Sequence, residues 1–513
     1  MTSLKLINKD VNKLFFLFIL LLLLRFVSID KIPPAGFRDE VEKLYNGWLL
    51  KVNSGYTADN QYYPFYFNIQ GSNTTGLWHY VFMFIPSSKP VSISTGRYLV
   101  ALCGTLTIFL YILILQEVFQ MPIFISIVCA IFFIFSPWHF LFSRWIQQGI
   151  TVPLFFASFF YFWQIGIKTK RSYLFFLAGT SLGLLFYSYA VCKLLVPFIL
   201  LVALIIYYED LNFISYFYFF AGFLILGVPV IWENVFNFST TSVRFKRISI
   251  FNTSHPFLIF LKNYMCHINP LNLFIYGDKN LRHSFPFMGM FNYFSFLPFL
   301  VGFYYLIRKK YKKYRFLLLL FFISPIAASL TNEGIPHYLR AILLLFIIQL
   351  IISLGVCKLF EWICKNGQIF FLTLYLIFII GNLIFFFFNA FFLYPNKAKL
   401  YWDYYYFRKI IKTNFDFDKI YLNPKVVYGK YLIGYLFKIK NPEKLKELYS
   451  MDGKKIFILY SCNYLNSLPF YLKKNLTSCL RNSEFISMTI SNKEIILSPI
   501  YTIIVENNNN KFF

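Results

Sequence analysis

Residues 369–393 read IFFLTLYLIFIIGNLIFFFFNAFFL, and no charged side chain interrupts them. An α-helix rises about 1.5 Å per residue, so this run covers the roughly 30 Å hydrocarbon core of a bilayer with length to spare. A helix at the surface of a soluble protein buries only one stripe and shows polar residues on the other side. This stretch has no such side. Comparable runs recur upstream, at about 94–116, 122–141, 150–167, 173–188, 192–208, 213–232, 287–307, 316–331 and 339–357. A further one, Leu14 to Val27, stands behind Lys5, Lys9 and Lys13 with no small-residue cleavage site after it, and reads as a retained first helix. The expectation is an α-helical polytopic membrane protein with about eleven transmembrane helices. Composition agrees: 58% of the 513 residues are hydrophobic and 14% charged, against about 45–50% and about 25% in soluble domains.

The formal net charge of +27 is not the mark of a nucleic-acid partner. The basic residues stand beside apolar runs, where positive-inside sorting accounts for them, and in the tail. Lys168, Lys170 and Arg171 fall in one short loop, and Arg308, Lys309, Lys310, Lys312, Lys313 and Arg315 in another. With the N-terminus cytoplasmic, both loops are cytoplasmic. The same count puts 28–93, 233–286 and the tail outside. The expected organisation is a transmembrane domain over residues 1–394, with outer loops 28–93 and 233–286, and an extracytoplasmic domain over 395–513, in a plasma (inner) membrane.

The tail alternates lysine-rich helical stretches, such as Pro442 to Tyr449, with apolar strand-like runs, Lys455 to Tyr460 and Glu494 to Leu497 among them. A small α/β domain is the natural reading. The eight cysteines show no CxxC spacing and no metal or redox motif; Cys462 and Cys479 are the two in the tail, where they would face an oxidising space and have the option to pair.

The first outer loop opens with Pro33-Pro34-Ala35-Gly36-Phe37-Arg38-Asp39-Glu40, followed from Val41 to Val52 by apolar residues at Leu44, Trp48, Leu49 and Val52. That spacing suits an amphipathic helix lying in the interface. Two readings of the acidic pair stay open. A carboxylate at the mouth of a membrane cavity can take a proton from an acceptor hydroxyl, and a carboxylate at a helix start can simply cap it.

Beyond it come Gly55-Tyr56-Thr57, Tyr62-Tyr63-Pro64-Phe65-Tyr66-Phe67 and Gly76-Leu77-Trp78-His79-Tyr80; then Ser136-Pro137-Trp138-His139 with Ser143-Arg144, Tyr187-Ser188-Tyr189 with Lys193, Gly277-Asp278-Lys279-Asn280-Leu281-Arg282-His283-Ser284, and Glu333-Gly334-Ile335-Pro336-His337-Tyr338-Leu339-Arg340. In this order, and with shared outward placement over roughly the first 360 residues, these motifs resemble the C-type membrane glycosyltransferases, in the branch of protein O-mannosyltransferases and lipid A aminoarabinose transferases.

The resemblance implies an inverting glycosyltransferase that takes a monosaccharide from a polyprenyl-phosphate carrier and gives it to a protein, lipid or glycan acceptor on the extracytoplasmic face. Asp39 matches the family's catalytic acid and Glu40 completes the pair. Lys193, Arg282, His283, His337 and Arg340 are the candidates for the donor phosphate, whose charge grows as the glycosyl bond breaks. Lys193 has a second reading as a residue snorkelling to the interface, Arg340 as an interfacial anchor and the histidines as loop hydrogen-bonders. Tyr63, Arg144, Gln148, Tyr189 and Asp278 are substrate-binding candidates. After Arg144 the chain reads Trp145-Ile146-Gln147-Gln148 where relatives often carry an acid, and an amide cannot act as a base.

No cofactor is required. A divalent metal near Asp39 and the histidines is compatible with the residues, but no ligand spacing demands one. A lipid-linked-sugar transporter or flippase and a non-catalytic carrier-lipid binder are the rival classes. Transporters place charges near the midplane, often in repeated halves, and neither pattern is visible here.

Overall fold

The computed structural model describes residues 11–69, 72–402 and, beyond them, 419–422, 431–432, 435, 438, 440, 455–461, 486–490, 493–497 and 501–507. Helices dominate the first 400 residues. In chain order the longer ones are α1 (Val11–Leu23), α2 (Arg38–Val52), α3 (Leu77–Met83), α4 (Ile93–Leu113), α5 (Ile123–Ile134), α6 (Pro137–Phe142), α7 (Thr151–Thr169), α8 (Ser172–Ser188), α9 (Cys192–Tyr207), α10 (Phe213–Phe236), α11 (Pro256–Ile268), α12 (Phe296–Arg308), α13 (Lys312–Ile323), α14 (Leu343–Asn366) and α15 (Ile369–Phe388).

Among the described residues, six helical stretches are long and apolar enough to cross a membrane: Ile93–Val118, Gln148–Thr169, Cys192–Asp210, Phe213–Phe236, Leu343–Asn366 and Ile369–Lys397. The chain is an integral membrane protein. The other expected spans are shorter or broken, for reasons visible in the backbone. The run 122–141 divides into α5 and α6 at Ser136-Pro137, where Ser136 is extended and Pro137 opens the next helix; a proline has no N–H to give the preceding turn and disfavours the helical region before it. Pro325 likewise follows the end of α13, and only Ile326–Ser329 is helical after it. The run 287–307 starts late: Phe287 has a φ of 58° and α12 begins at Phe296. Arg340 lies in the turn ahead of α14 instead of inside a span, and α14 runs on to Asn366.

The chain divides into two compact units. One comprises residues 1–32, 71–77 and 97–395, the other 33–70, 78–96 and 396–513. In the first unit, α8 packs along α10, and α12 crosses α14 at Gly302 and Gly355, each set against the backbone of the other helix, where any Cβ would strike a carbonyl. Small residues permit such close crossings in membranes, where packing has no hydrophobic drive behind it.

In the second unit, Tyr45, Trp48, Leu49 and Leu50 of α2 form a core with Phe67, Ile69 and Tyr431. The Tyr431 hydroxyl donates to Asp59 and that of Tyr435 to the Val91 carbonyl at 3.0 Å. Further on, strands β1 (Lys419–Leu422), β2 (Lys455–Ser461), β3 (Ile486–Ile490), β4 (Lys493–Leu497) and β5 (Tyr501–Asn507) form one sheet in the order β1-β2-β5-β4-β3. β1 runs parallel to β2 and every other pair is antiparallel, with Ile504 of β5 opposite Ile458 on one side and Ile495 on the other. The expected helix at 442–449 and the Cys462–Cys479 pair lie outside the described residues.

Candidate active site

The adjacent carboxylates Asp39 and Glu40 separate into different roles. Phe37 is extended ahead of α2, and its N–H donates to Glu40 Oε2 at 2.7 Å, so Glu40 satisfies one of the donors that a helix start leaves open. Glu40 is fully buried. Asp39, one residue earlier, is half-buried, and its carboxylate has no hydrogen-bond or ion-pair partner among the described residues. Its carbonyl takes a hydrogen bond from Lys43 Nζ at 2.9 Å.

The helix that carries Asp39 is not the interfacial helix its spacing suggests. Residues 40–50 are all buried, including Glu42, Lys43 and Asn46. Glu42 Oε1 meets His79 Nε2 and Asn46 Nδ2, each at 2.7 Å, and Asn46 Oδ1 accepts the Ala58 N–H at 2.9 Å. His79 lies flat on the Phe67 ring with centroids 3.7 Å apart. A buried pair needs such hydrogen bonds to offset the loss of hydration. Glu42 and His79 stand 37 residues apart in the chain, and only folding joins them. In the same unit, Tyr63 (φ 33°) is exposed, with Tyr62 at 4.9 Å.

In the other unit, two loops bring five of the candidates together, Asp278, Arg282, His283, His337 and Arg340, with Arg282 donating its N–H to Asn280 Oδ1 at 3.0 Å. Gly277 (φ 70°) turns the chain into the loop, and Asp278 Oδ1 accepts the Asn280 N–H at 2.8 Å. Asp278 Oδ2 meets His283 Nδ1 at 2.9 Å and accepts the Tyr338 N–H at 3.2 Å, which ties 278–283 to the turn 337–340. His337 donates its backbone N–H to His267 Nε2 at 3.1 Å, and His267 Nδ1–H donates to the Asn263 carbonyl at 2.7 Å. The rings of His283 and His337 stand 4.6 Å apart. His267 had no signal in the sequence.

Electrostatics refine the expected roles. Burial pushes His267 down to about 4 against the opposing pull of Asn263 and Asp278. Burial lowers His283 as well, with Asp278 opposing, and it lowers His337 well below the ordinary range with help from His283, Arg340 and Arg282. These imidazoles are neutral, so they offer donors and lone pairs but no charge. Arg340 is buried and already committed: it donates to Glu333 Oε2 at 2.6 Å and to Thr331 Oγ1 at 2.8 Å. Arg244 joins Glu333 from the far side at 2.9 Å. Asp278 likewise holds the loop, through three donors.

The remaining candidates lie elsewhere. Lys193, in the first turn of α9, donates to Asn234 Oδ1 of α10 at 2.9 Å. Arg144 is fully buried and serves the backbone: its guanidinium donates to the Ile32 carbonyl at 3.0 Å, to Val27 at 2.5 Å and to Arg25. Arg97 supports the same strip through the Ile29 carbonyl at 3.1 Å. Arg144 therefore clamps residues 25–32. Gln148 is buried, with Nε2 3.5 Å from the Thr75 carbonyl. Tyr189 follows the end of α8 in extended backbone.

No family model matches the sequence, and neither does any curated protein. Solved structures do match the fold. The crystal structure of ArnT from Cupriavidus metallidurans in the apo state superposes with a TM-score of 0.53 at 11% identity, over 97% of this chain and 99% of that one. The same protein bound to undecaprenyl phosphate gives 0.52 at 10% identity, over 96% and 98%. The likeness takes in nearly the whole length of both chains. The protein has the fold of ArnT.

Proposed function

We propose that this protein is an inverting glycosyltransferase that moves a monosaccharide from a polyprenyl-phosphate carrier to a protein, lipid or glycan acceptor. The observation that carries the reading is Asp39: a half-buried carboxylate with no partner among the described residues, on a helix whose residues 40–50 are buried, in a fold that ArnT shares. ArnT has been crystallised with undecaprenyl phosphate, a donor carrier of the proposed class.

The Asp39 carboxylate accepts the proton of the acceptor hydroxyl as that oxygen attacks the anomeric carbon. The bond from that carbon to the phosphate oxygen breaks, and the configuration inverts. Charge builds on the departing phosphate. Lys193, Arg282 and Arg340 are the basic residues assigned to it, and His283 and His337 assist as hydrogen-bonding groups. Tyr63, Gln148 and Tyr189 are assigned to the sugar and the acceptor. The six long helices and the shorter apolar ones together make the polytopic domain, with the N-terminus cytoplasmic and the C-terminal domain extracytoplasmic.

The test is sugar transfer from radiolabelled polyprenyl-phosphate hexoses by the purified protein in detergent, comparing wild type with Asp39→Asn. Donor consumption in the wild type and its loss in the variant, with carrier binding kept, supports the reading. Tight carrier binding with no turnover in either protein, across several sugars and acceptors, overturns it in favour of a transporter or a lipid-binding protein.

A further inference from the structure

The geometry points to a divalent transition-metal site formed by Asp278, His283 and His337. One coordinating atom from each lies within 4.8 Å of the other two. The ligand atoms of a tetrahedral zinc ion sit about 3.3 Å apart, given metal–ligand distances of about 2.0–2.1 Å. Side-chain adjustments of about an ångström therefore close the site.

The surroundings are built for it. His337 is held from behind by its backbone N–H on His267 Nε2, while its own Nδ1 is sealed from solvent and bonded to nothing. Folded proteins rarely leave a buried polar atom so, and one that they do leave asks for an occupant. Asp278 is fixed by the N–H groups of Asn280 and Tyr338 and faces His283 Nδ1. A carboxylate has about four lone-pair positions, so these three donors leave one for an ion.

The nearby Arg340 does not oppose a cation with a bare charge, since Glu333 answers it at 2.6 Å. Two imidazoles and a carboxylate suit zinc, cobalt or nickel; calcium and magnesium take oxygen ligands. Three protein ligands also leave one position open. The ion would fasten the loop 278–283 to the turn at His337, two segments about 55 residues apart in the chain. This inference does not rest on the transferase reading, and its test needs no turnover.

Full-length protein in detergent is stripped with a chelator and titrated with Zn²⁺, and the bound ion is counted by mass spectrometry. Co²⁺ in its place reports the ligand set through its visible absorption. One ion per chain and the intense bands of a four-coordinate nitrogen–oxygen site are expected. His283→Gln and His337→Gln should each weaken Zn²⁺ binding by at least about tenfold, whereas His255→Gln, at an exposed histidine outside the cluster, should not change it. Affinity unchanged in the His283→Gln/His337→Gln double variant overturns the site. Should those variants fail to fold, the wild type decides alone: the weak bands of six-coordinate Co²⁺, or well under one ion per chain, overturns it too.

Discussion

Two acid-bearing regions of this molecule treat their charges in opposite ways. In the loops at 277–284 and 331–340, Asp278 and Glu333 are both committed: one holds His283 and two backbone N–H groups, the other sits between Arg340 and Arg244. On α2, Glu40 and Glu42 are committed in the same manner, to the Phe37 N–H and to His79, yet Asp39, one residue before Glu40, is not. A paired carboxylate is held by the fold. On the proposed reading the unpaired one, half open to solvent, is the group that takes the substrate proton.

The sharpest way to break this contrast is to neutralise the uncommitted acid. Asp39→Asn keeps the shape of the side chain and removes the base, so transfer should fall by about 10²–10⁴-fold, with thermal stability and carrier binding unchanged. A variant with near-normal rates would show that being unpaired does not make Asp39 the base. The converse experiment removes a committed acid from the same helix. Glu42→Ala leaves His79 Nε2 and Asn46 Nδ2 buried without their shared partner and should cost about 1–3 kcal/mol, seen as a lower unfolding temperature by tryptophan fluorescence. A change of under about 1 kcal/mol would mean that the pair does not hold α2 in place.

How far this contrast was legible in the sequence depends on the distance over which each residue finds its partner. The membrane spans are local, written in uninterrupted apolar composition, and α4, α7, α9, α10, α14 and α15 lie where that composition puts them. The breaks at Pro137 and Pro325 carried a local signal too, but hydropathy averaged over a window passes across a single proline. Asp39 and Glu40 looked equivalent as neighbours, and only the backbone of Phe37, extended just before the helix, decides which of them caps it. The loop 277–284 was visible as a motif, whereas His267, 70 residues before its partner His337, carried no signal. Apolar spacing along 41–52 suggested an interfacial helix because it says which face is greasy and nothing about what covers the other.

Arg144 extends the comparison to cations. Its expected place was with the substrate, and the fold gives it three carbonyls instead. Arg144→Gln cannot reach the Arg25, Val27 and Ile32 carbonyls together, and leaving buried acceptors unsatisfied costs about 1–3 kcal/mol. Lower thermal stability is the expected result, with donor affinity unaffected once the protein is folded. Loss of donor affinity at full stability would return Arg144 to the substrate.

The smallest effect belongs to the committed acid nearest solvent. Burial pushes the Glu333 carboxyl up, but Arg340 and Arg244 outweigh it and hold the group below its ordinary range. A depressed value in the folded state means stability that is present above the unfolded carboxyl's pKa of about 4.3 and is lost as the pH falls through the folded value. Glu333 is half exposed, so water and salt screen the pair and its worth stays within about 1 kcal/mol. Melting of wild type against Glu333→Gln should therefore show a small gap at neutral pH that closes below about pH 4, as protonation makes the two side chains alike, and that shrinks with added salt. A gap that persisted in acid would place the contribution of Glu333 in its packing against Arg340 and not in its charge.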